Sequence, residues 1–172
     1  IGQNPNRQMY IVLFSTGRIM FLKNENGDNT NLRADTATPH DGNWNHIMIC
    51  MDLTASTKGD IFFNGVNVTH SRTLDTNVIQ ASSGDFYINE TTKSFTGNID
   101  EVALWSGTDL RNDVATIYNS GVANDLNNNG LTAPTTWYRM GDGDSAPTIQ
   151  DKNGSADLTM TNFSTFTTDV PT

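Results

Sequence analysis

Short apolar runs, each broken within a few residues by Gly, Asn, Asp or Ser, follow one another along the whole chain. Runs of that length between turn formers predict β-strands. The pattern places them at 8–14, 18–23, 31–35, 44–52, 60–63, 66–69, 85–88, 94–105, 136–139 and 157–161. Within the fourth run Ile47, Ile49 and Met51 alternate, so they share one face of a strand, and Trp44 is placed to plug one end of the layer. Two Asn-Gly pairs mark hairpins, Asn26-Gly27 in the loop 24–29 and Asn64-Gly65 between the fifth and sixth strands, because both residues of such a turn take positive φ at little cost. One segment departs from the pattern: Leu110, Val114, Ile117 and Tyr118 recur at helical spacing. Thr108 or Asp109 is expected to cap that helix, and Gly121 to supply the left-handed residue that ends it. About nine or ten short strands and one short helix near 110–119 predict an all-β sandwich or barrel.

Composition narrows the partners. The chain has 172 residues, a length that suits one domain, and neither an internal repeat nor a linker divides it. Hydrophobic residues make up 35% and charged residues 17%, leaving a large share of turn-forming polar residues, which favours strands and loops over helices. Ten Lys and Arg stand against 19 Asp and Glu, a formal charge of −9, and no basic run interrupts the excess. Nucleic acid is therefore excluded as an expected partner, since phosphate binding draws on clustered positive charge. No segment is apolar over a membrane-spanning length, no leader is visible, and the chain starts at Ile1, so upstream residues are expected to be missing. The one cysteine, Cys50, lies in an apolar run and is expected as a small buried hydrophobe.

Three stretches in order carry a resemblance. They are Trp44-Asn-His-Ile-Met-Ile-Cys-Met-Asp52 with Asp60-Ile-Phe-Phe-Asn-Gly65, then Phe95-Thr-Gly-Asn-Ile-Asp-Glu-Val-Ala-Leu-Trp105 with the helix ending at Gly121, then Trp137-Tyr-Arg-Met-Gly-Asp142. Together they resemble the laminin-G-like group of the concanavalin-A-like lectin and glucanase superfamily, over roughly 44–161. The resemblance implies a two-sheet antiparallel jelly-roll sandwich and a single domain over 1–172. The group usually opens with a strand before the segment corresponding to 8–14. Here almost nothing precedes Gln8, so the domain is expected to lack its first strand or to belong to a longer chain. The stretch from Trp137 to Asp142, with Asp151-Lys-Asn-Gly154 and Asp157 to Asn162, is also similar to domains in structural proteins of tailed bacteriophages.

Candidate chemistry is sparse. Asp100-Glu101 invites comparison with the acid pair of the related glucanases, which need two carboxyls about 5–5.5 Å apart. Asn98 stands where the first acid is expected, and neighbours on a strand point to opposite faces, so no catalytic residue is assigned and Asp100 is expected to bind backbone N–H groups. His40, His46 and His70 have no metal-ligand spacing. Calcium is a candidate in two loops. Asp125, Asn127 and Asn129 begin an EF-hand-like loop whose final bidentate Glu is replaced by Thr136. Asp142, Asp144 and Asp151 form the second set, because laminin-G-like domains often hold calcium at a loop rim. Loop capping is the competing role for both sets and the favoured one. Trp105, Trp137, Tyr138 and Tyr87 are available for sugar stacking, though strand context favours burial for most. The sequons at Asn67, Asn89, Asn153 and Asn162 have meaning only in a eukaryotic secretory pathway.

These features lead to a non-enzymatic binding or assembly module without nucleic-acid or membrane partners. The expected setting is a virion, as a capsid-decoration or tail domain that meets other virion proteins or copies of itself and binds glycans weakly. The alternative is a carbohydrate-binding module of a secreted or cell-surface protein. The expected location is thus a virion or extracellular surface.

Overall fold

A computed structural model of the chain describes residues 7–25, 28–35, 40–52, 59–68, 70–73, 86–88, 95–161 and 165–172. The chain forms two compact units, 1–96 and 97–172.

The first unit holds two antiparallel sheets. Strands β1 (Arg7–Leu13), β2 (Ile19–Glu25), β3 (Asp28–Ala34) and β7 (His70–Thr73) pair in the order β1-β2-β3-β7, and β4 (Ile47–Met51), β5 (Gly59–Phe63) and β6 (Val66–Asn67) form the other sheet. Alternation along β2 and β3 sends Ile19, Phe21, Leu32 and Ala34 inward, where they meet Ile61 of β5; all five are buried. Ile47, Ile49 and Met51 pack against this cluster as their spacing predicts. They sit opposite Phe63, Ile61 and Gly59 in register. Cys50, one step out of phase, is half-buried rather than buried, as is the rest of β4.

Gly59 marks a close approach of the two sheets. A Cβ there would stand 2.5 Å from Leu32 Cδ1 and 2.6 Å from Met51 Sδ. Leu32 comes from β3 and Met51 from β4, so a missing side chain on β5 makes the room that lets a buried leucine cross between layers. At the far end of β5, Asn64 (φ 49) and Gly65 (φ 79) both take positive φ, the hairpin turn that the sequence requires. Asn26-Gly27 lies outside the described residues, although β2 and β3 do pair up to Glu25 opposite Asp28.

The second unit is assembled from shorter pieces. β8 (Val102–Leu104) pairs antiparallel with β9 (Thr136–Tyr138), and β10 (Thr148–Ile149) pairs with β11 (Leu158–Thr159). One helix, α1 (Val114–Tyr118), runs into a 3-10 turn at Asn119–Gly121. Leu110, Val114 and Ile117 are buried, as their spacing predicts. The helix is shorter than expected and neither Thr108 nor Asp109 caps it. Asp109 instead accepts from Arg111 N and is held by the Arg111 guanidinium, while the Asp113 carbonyl accepts the first helical N–H groups. Its end also comes early, because Asn119 (φ 45) and Ser120 (φ 59) are left-handed before Gly121 is reached.

Several expected strands are trimmed. Residues 95–101 are not strand, 86–88 are not strand, and the fourth strand begins at Ile47 rather than Trp44. Two short strands, His70–Thr73 and Thr148–Ile149, form where none was expected.

Gly59→Ala is expected to lower stability by about 1–3 kcal/mol, the usual cost of overfilling a packed interior. The midpoint of denaturant unfolding measures it. An unchanged midpoint would show that Leu32 and Met51 do not need that space.

Candidate functional site

The polar side chains that the sequence singles out gather in the second unit, around β9 and the loops that follow it. The approach to β8 is bent by Gly97 (φ 149) and by Glu101, a non-glycine residue at φ 53. Asp100 Oδ1 accepts the Glu101 N–H at 2.9 Å and so caps this turn. Left-handed geometry at Glu101 breaks the alternation expected of a strand and turns its carboxylate onto β9. There Oε2 accepts from the Trp137 indole N–H at 2.7 Å and Oε1 from Arg139 Nε at 3.2 Å. The Arg139 guanidinium lies over the Trp137 ring, 5.0 Å from its centroid, and its other arm pairs with Asp142 at 2.6 Å. Burial pushes both carboxyls up from their ordinary values. For Asp100 the Glu101 amide opposes that rise, and for Glu101 the Trp137 and Arg139 donors oppose it.

Beside this clamp lies the segment 142–151, which contains β10. Asp144, its side chain wholly out of solvent, accepts Gly141 N and Gln150 N at 3.1 Å each and meets Lys152 Nζ at 3.4 Å. Asp151, 8% exposed, accepts Trp137 N at 3.0 Å and Asn153 N at 3.2 Å through Oδ1. Desolvation pushes the Asp151 carboxyl up, but the main-chain N–H groups of Trp137, Asn153, Gly154 and Ala156 outweigh it and hold the group below its ordinary value. Its second oxygen is buried without a well-formed hydrogen bond and presses on Gly154, where any Cβ would collide with it. Glycine at 154 is therefore a packing requirement. The loop is tied further by Tyr138 Oη donating to Ala156 O at 2.6 Å and by Asp157 accepting Asp151 N at 2.9 Å.

The other candidate loop is held by its own hydrogen bonds. Asp125 accepts Asn127 N and Asn128 Nδ2, Asn129 Oδ1 accepts Leu131 N, and Asn127 exchanges a pair of amide hydrogen bonds with Asn153 at 2.8 Å each. Thus the structure places Asp142 and Asp144 before β10 and Asp151 just after it, gives each a separate set of donors, and places Asp125, Asn127 and Asn129 together on another loop. Among the described residues, no group of three or more His, Cys, Asp or Glu side chains gathers as a metal-binding set. Of the aromatic candidates, Trp137 and Tyr138 are buried, Trp105 is half-buried with its N–H on Thr132 O, and Tyr87 is about half exposed beside Phe86. Glu101 was not expected to meet Trp137 and Arg139, which lie 36 and 38 positions away. Only the unusual backbone at 101 brings them together.

A family model described as the concanavalin A-like lectin/glucanases superfamily, laminin-G type, matches residues 1–115. The chain belongs to that laminin-G-like family. Neither the curated proteins nor the solved structures gave a match. The family span takes in the first block that carries the sequence resemblance and the second as far as residue 115, and stops before Trp137, so the clamp joins a residue inside the matched span to two outside it. The antiparallel sheets accord with the sandwich class of this laminin-G-like family. Membership supports a carbohydrate-binding or adhesion-type module, in a group whose lectin-like domains are generally non-catalytic.

Gly154→Ala is expected to cost about 1–3 kcal/mol in the native chain and much less in an Asp151→Ala background, since the collision needs both partners. Equal costs in the two backgrounds, measured by denaturant midpoints, would remove the proposed contact. A second prediction concerns pH. Because the folded-state value of Glu101 lies above its unfolded value, its contribution to stability grows as pH falls from neutrality toward the ordinary carboxylate range and is lost again on return to neutral pH. Acidification should therefore stabilise the native chain relative to Glu101→Gln. A difference that stays flat or shrinks as pH falls would contradict the raised value.

Proposed function

We propose that this chain is a non-enzymatic binding and assembly module of a virion surface, a capsid-decoration or tail domain with weak affinity for glycans. Its partners are other virion proteins or further copies of the chain. The observation that carries the non-enzymatic part is the engagement of both Glu101 oxygens by Trp137 and Arg139, with Asp100 spent on the turn beside it. A retaining or inverting glycosidase needs two carboxyls facing a sugar, one of them able to give a proton. Here both acids of the tempting pair serve the local architecture.

Glycan affinity in this proposal falls to exposed aromatic surface. Phe86 and Tyr87 are adjacent and 48% and 51% exposed, and an aromatic face stacks on the apolar side of a sugar ring. The virion setting rests on the sequence similarity of 137–162 to phage structural domains and on the acidic, disulfide-free composition. The module works without a bound cation, because the carboxylates of both candidate loops already hold N–H donors or cationic side chains. Nucleic acid is not a partner at a net charge of −9, and no helix among the described residues is long and apolar enough to cross a membrane.

A glycan array, run with calcium and again with a chelator, should give weak signals that are equal in both conditions and disappear in a Phe86→Ala/Tyr87→Ala variant. Antibody against the chain should label the surface of the virion that encodes it. Labelling of a cell surface instead would keep the binding module and remove the virion. Hydrolysis of a β-glucan that Glu101→Gln abolishes would replace the whole proposal with an enzyme.

A further inference from the structure

Asn-Gly is the pair at which a polypeptide modifies itself most readily, because glycine leaves the following amide nitrogen uncrowded and the backbone free to fold back. Three such pairs lie among the described residues, Asn64-Gly65, Asn129-Gly130 and Asn153-Gly154. Ring closure requires the asparagine side chain to leave its partners and bring Cγ to the glycine nitrogen.

Two of the three are held at both ends of the amide. Asn64 Oδ1 accepts His46 N at 2.8 Å while its Nδ2 donates to Asn45 Oδ1 at 2.9 Å. Asn153 Oδ1 accepts Asn127 Nδ2 at 2.8 Å, and its Nδ2 donates to both Asn127 Oδ1 and Pro134 O at 2.8 Å. Asn129 differs. Its one side-chain hydrogen bond runs from Leu131 N to Oδ1 at 3.0 Å, which leaves the leaving-group nitrogen without a protein acceptor among the described residues. Gly130 is exposed at φ 84 with open space where a side chain would stand, and its N–H donates to no protein acceptor among the described residues.

We propose that Asn129 is a spontaneous modification site. The Gly130 main-chain nitrogen, losing its proton to water, attacks Cγ of Asn129. The new N–C bond forms, the Cγ–Nδ2 bond breaks, and ammonia leaves with the transferred proton. Water then opens the resulting succinimide at either carbonyl, giving aspartate or isoaspartate. The net change consumes one water and releases one ammonia, with no redox partner. It adds a negative charge to the loop that already carries Asp125. In the isoaspartate product it also lengthens the main chain beside Asn127, the residue that ties this loop to Asn153.

The folded chain, kept in mildly alkaline buffer at body temperature, is digested at intervals and mapped by mass spectrometry for the mass gain of NH2 replaced by OH. Conversion at Asn129 should be about fivefold faster than at Asn64 and about thirtyfold faster than at Asn153, the factors that releasing one and two further hydrogen bonds of about 1 kcal/mol each imply. In urea the three rates should converge, which shows that the fold and not the dipeptide discriminates. Asn129→Gln should abolish conversion at that position, since closure would need a larger ring. Equal rates in the folded chain, faster conversion at Asn64 or Asn153, or unequal rates that persist in urea would each overturn the proposal.

Discussion

A carboxylate taken out of water has to be given donors, and the second unit is arranged around that demand. Leaving such a group unpaired costs several kcal/mol, whereas each hydrogen bond to it recovers about 1.5–3 kcal/mol. Strand β9 answers the demand three times. Its Trp137 amide reaches Asp151, its Trp137 indole reaches Glu101, and the Arg139 side chain just beyond it reaches Glu101 and Asp142. With only three residues in the strand, ladder hydrogen bonds alone would hold it weakly. Side-chain acceptors on the preceding turn and the following loop fix its position instead. The same argument accounts for Gly154, since the carboxylate that gathers the amides of Trp137 and Asn153 sits where a side chain at 154 would go.

The first unit solves its problem with apolar surface. Two sheets enclose Ile19, Phe21, Leu32, Ala34 and Ile61, and the glycine at 59 admits Leu32 between layers. Full burial of such side chains is worth about 1.5–3 kcal/mol each, enough to dominate over the surface hydrogen bonds nearby. Polar side chains gather at one sheet end. There Asp41 collects Asn43 N and Asn45 Nδ2, and Asn45 in turn accepts from Asn64. His46 is drawn into this corner, and burial lowers its pKa so that the neutral ring is favoured. The buried cluster of the first unit is thus apolar, while the second unit matches its part-buried carboxylates with donors.

Much of the sandwich was legible because the side-chain period of a strand is short and survives in any window. Ile47, Ile49 and Met51 declared their common face, and Asn64-Gly65 declared its turn. The helix was legible through its buried side, Leu110, Val114 and Ile117, but not through its ends, because Asp109 found Arg111 a better partner than the helix amides. His70–Thr73 and Thr148–Ile149 carry no alternating apolar signal, so pairing with a neighbour rather than local pattern makes them strands. The role of Glu101 was not legible at all. A strand was expected through 94–105, and on a strand Glu101 would alternate with Asp100. Nothing in local periodicity announces a left-handed residue that is not glycine.

That residue bears on the choice between a reactive group and a structural one. A left-handed backbone costs a side-chain-bearing residue about 1–2 kcal/mol, so something must hold it there. Two charge-assisted hydrogen bonds from Trp137 and Arg139 at about 1.5–3 kcal/mol each exceed the strain on their own. The conformation therefore needs no catalytic purpose to explain it. A general acid, by contrast, has to release its proton toward a substrate, and Glu101 would first have to leave both donors while its backbone stayed strained. The clamp holds the side chain in place, and every oxygen so occupied is one fewer for chemistry. Recognition in such a domain passes to what the framework leaves outward, and Phe86 and Tyr87, each about half exposed, belong to that surface here.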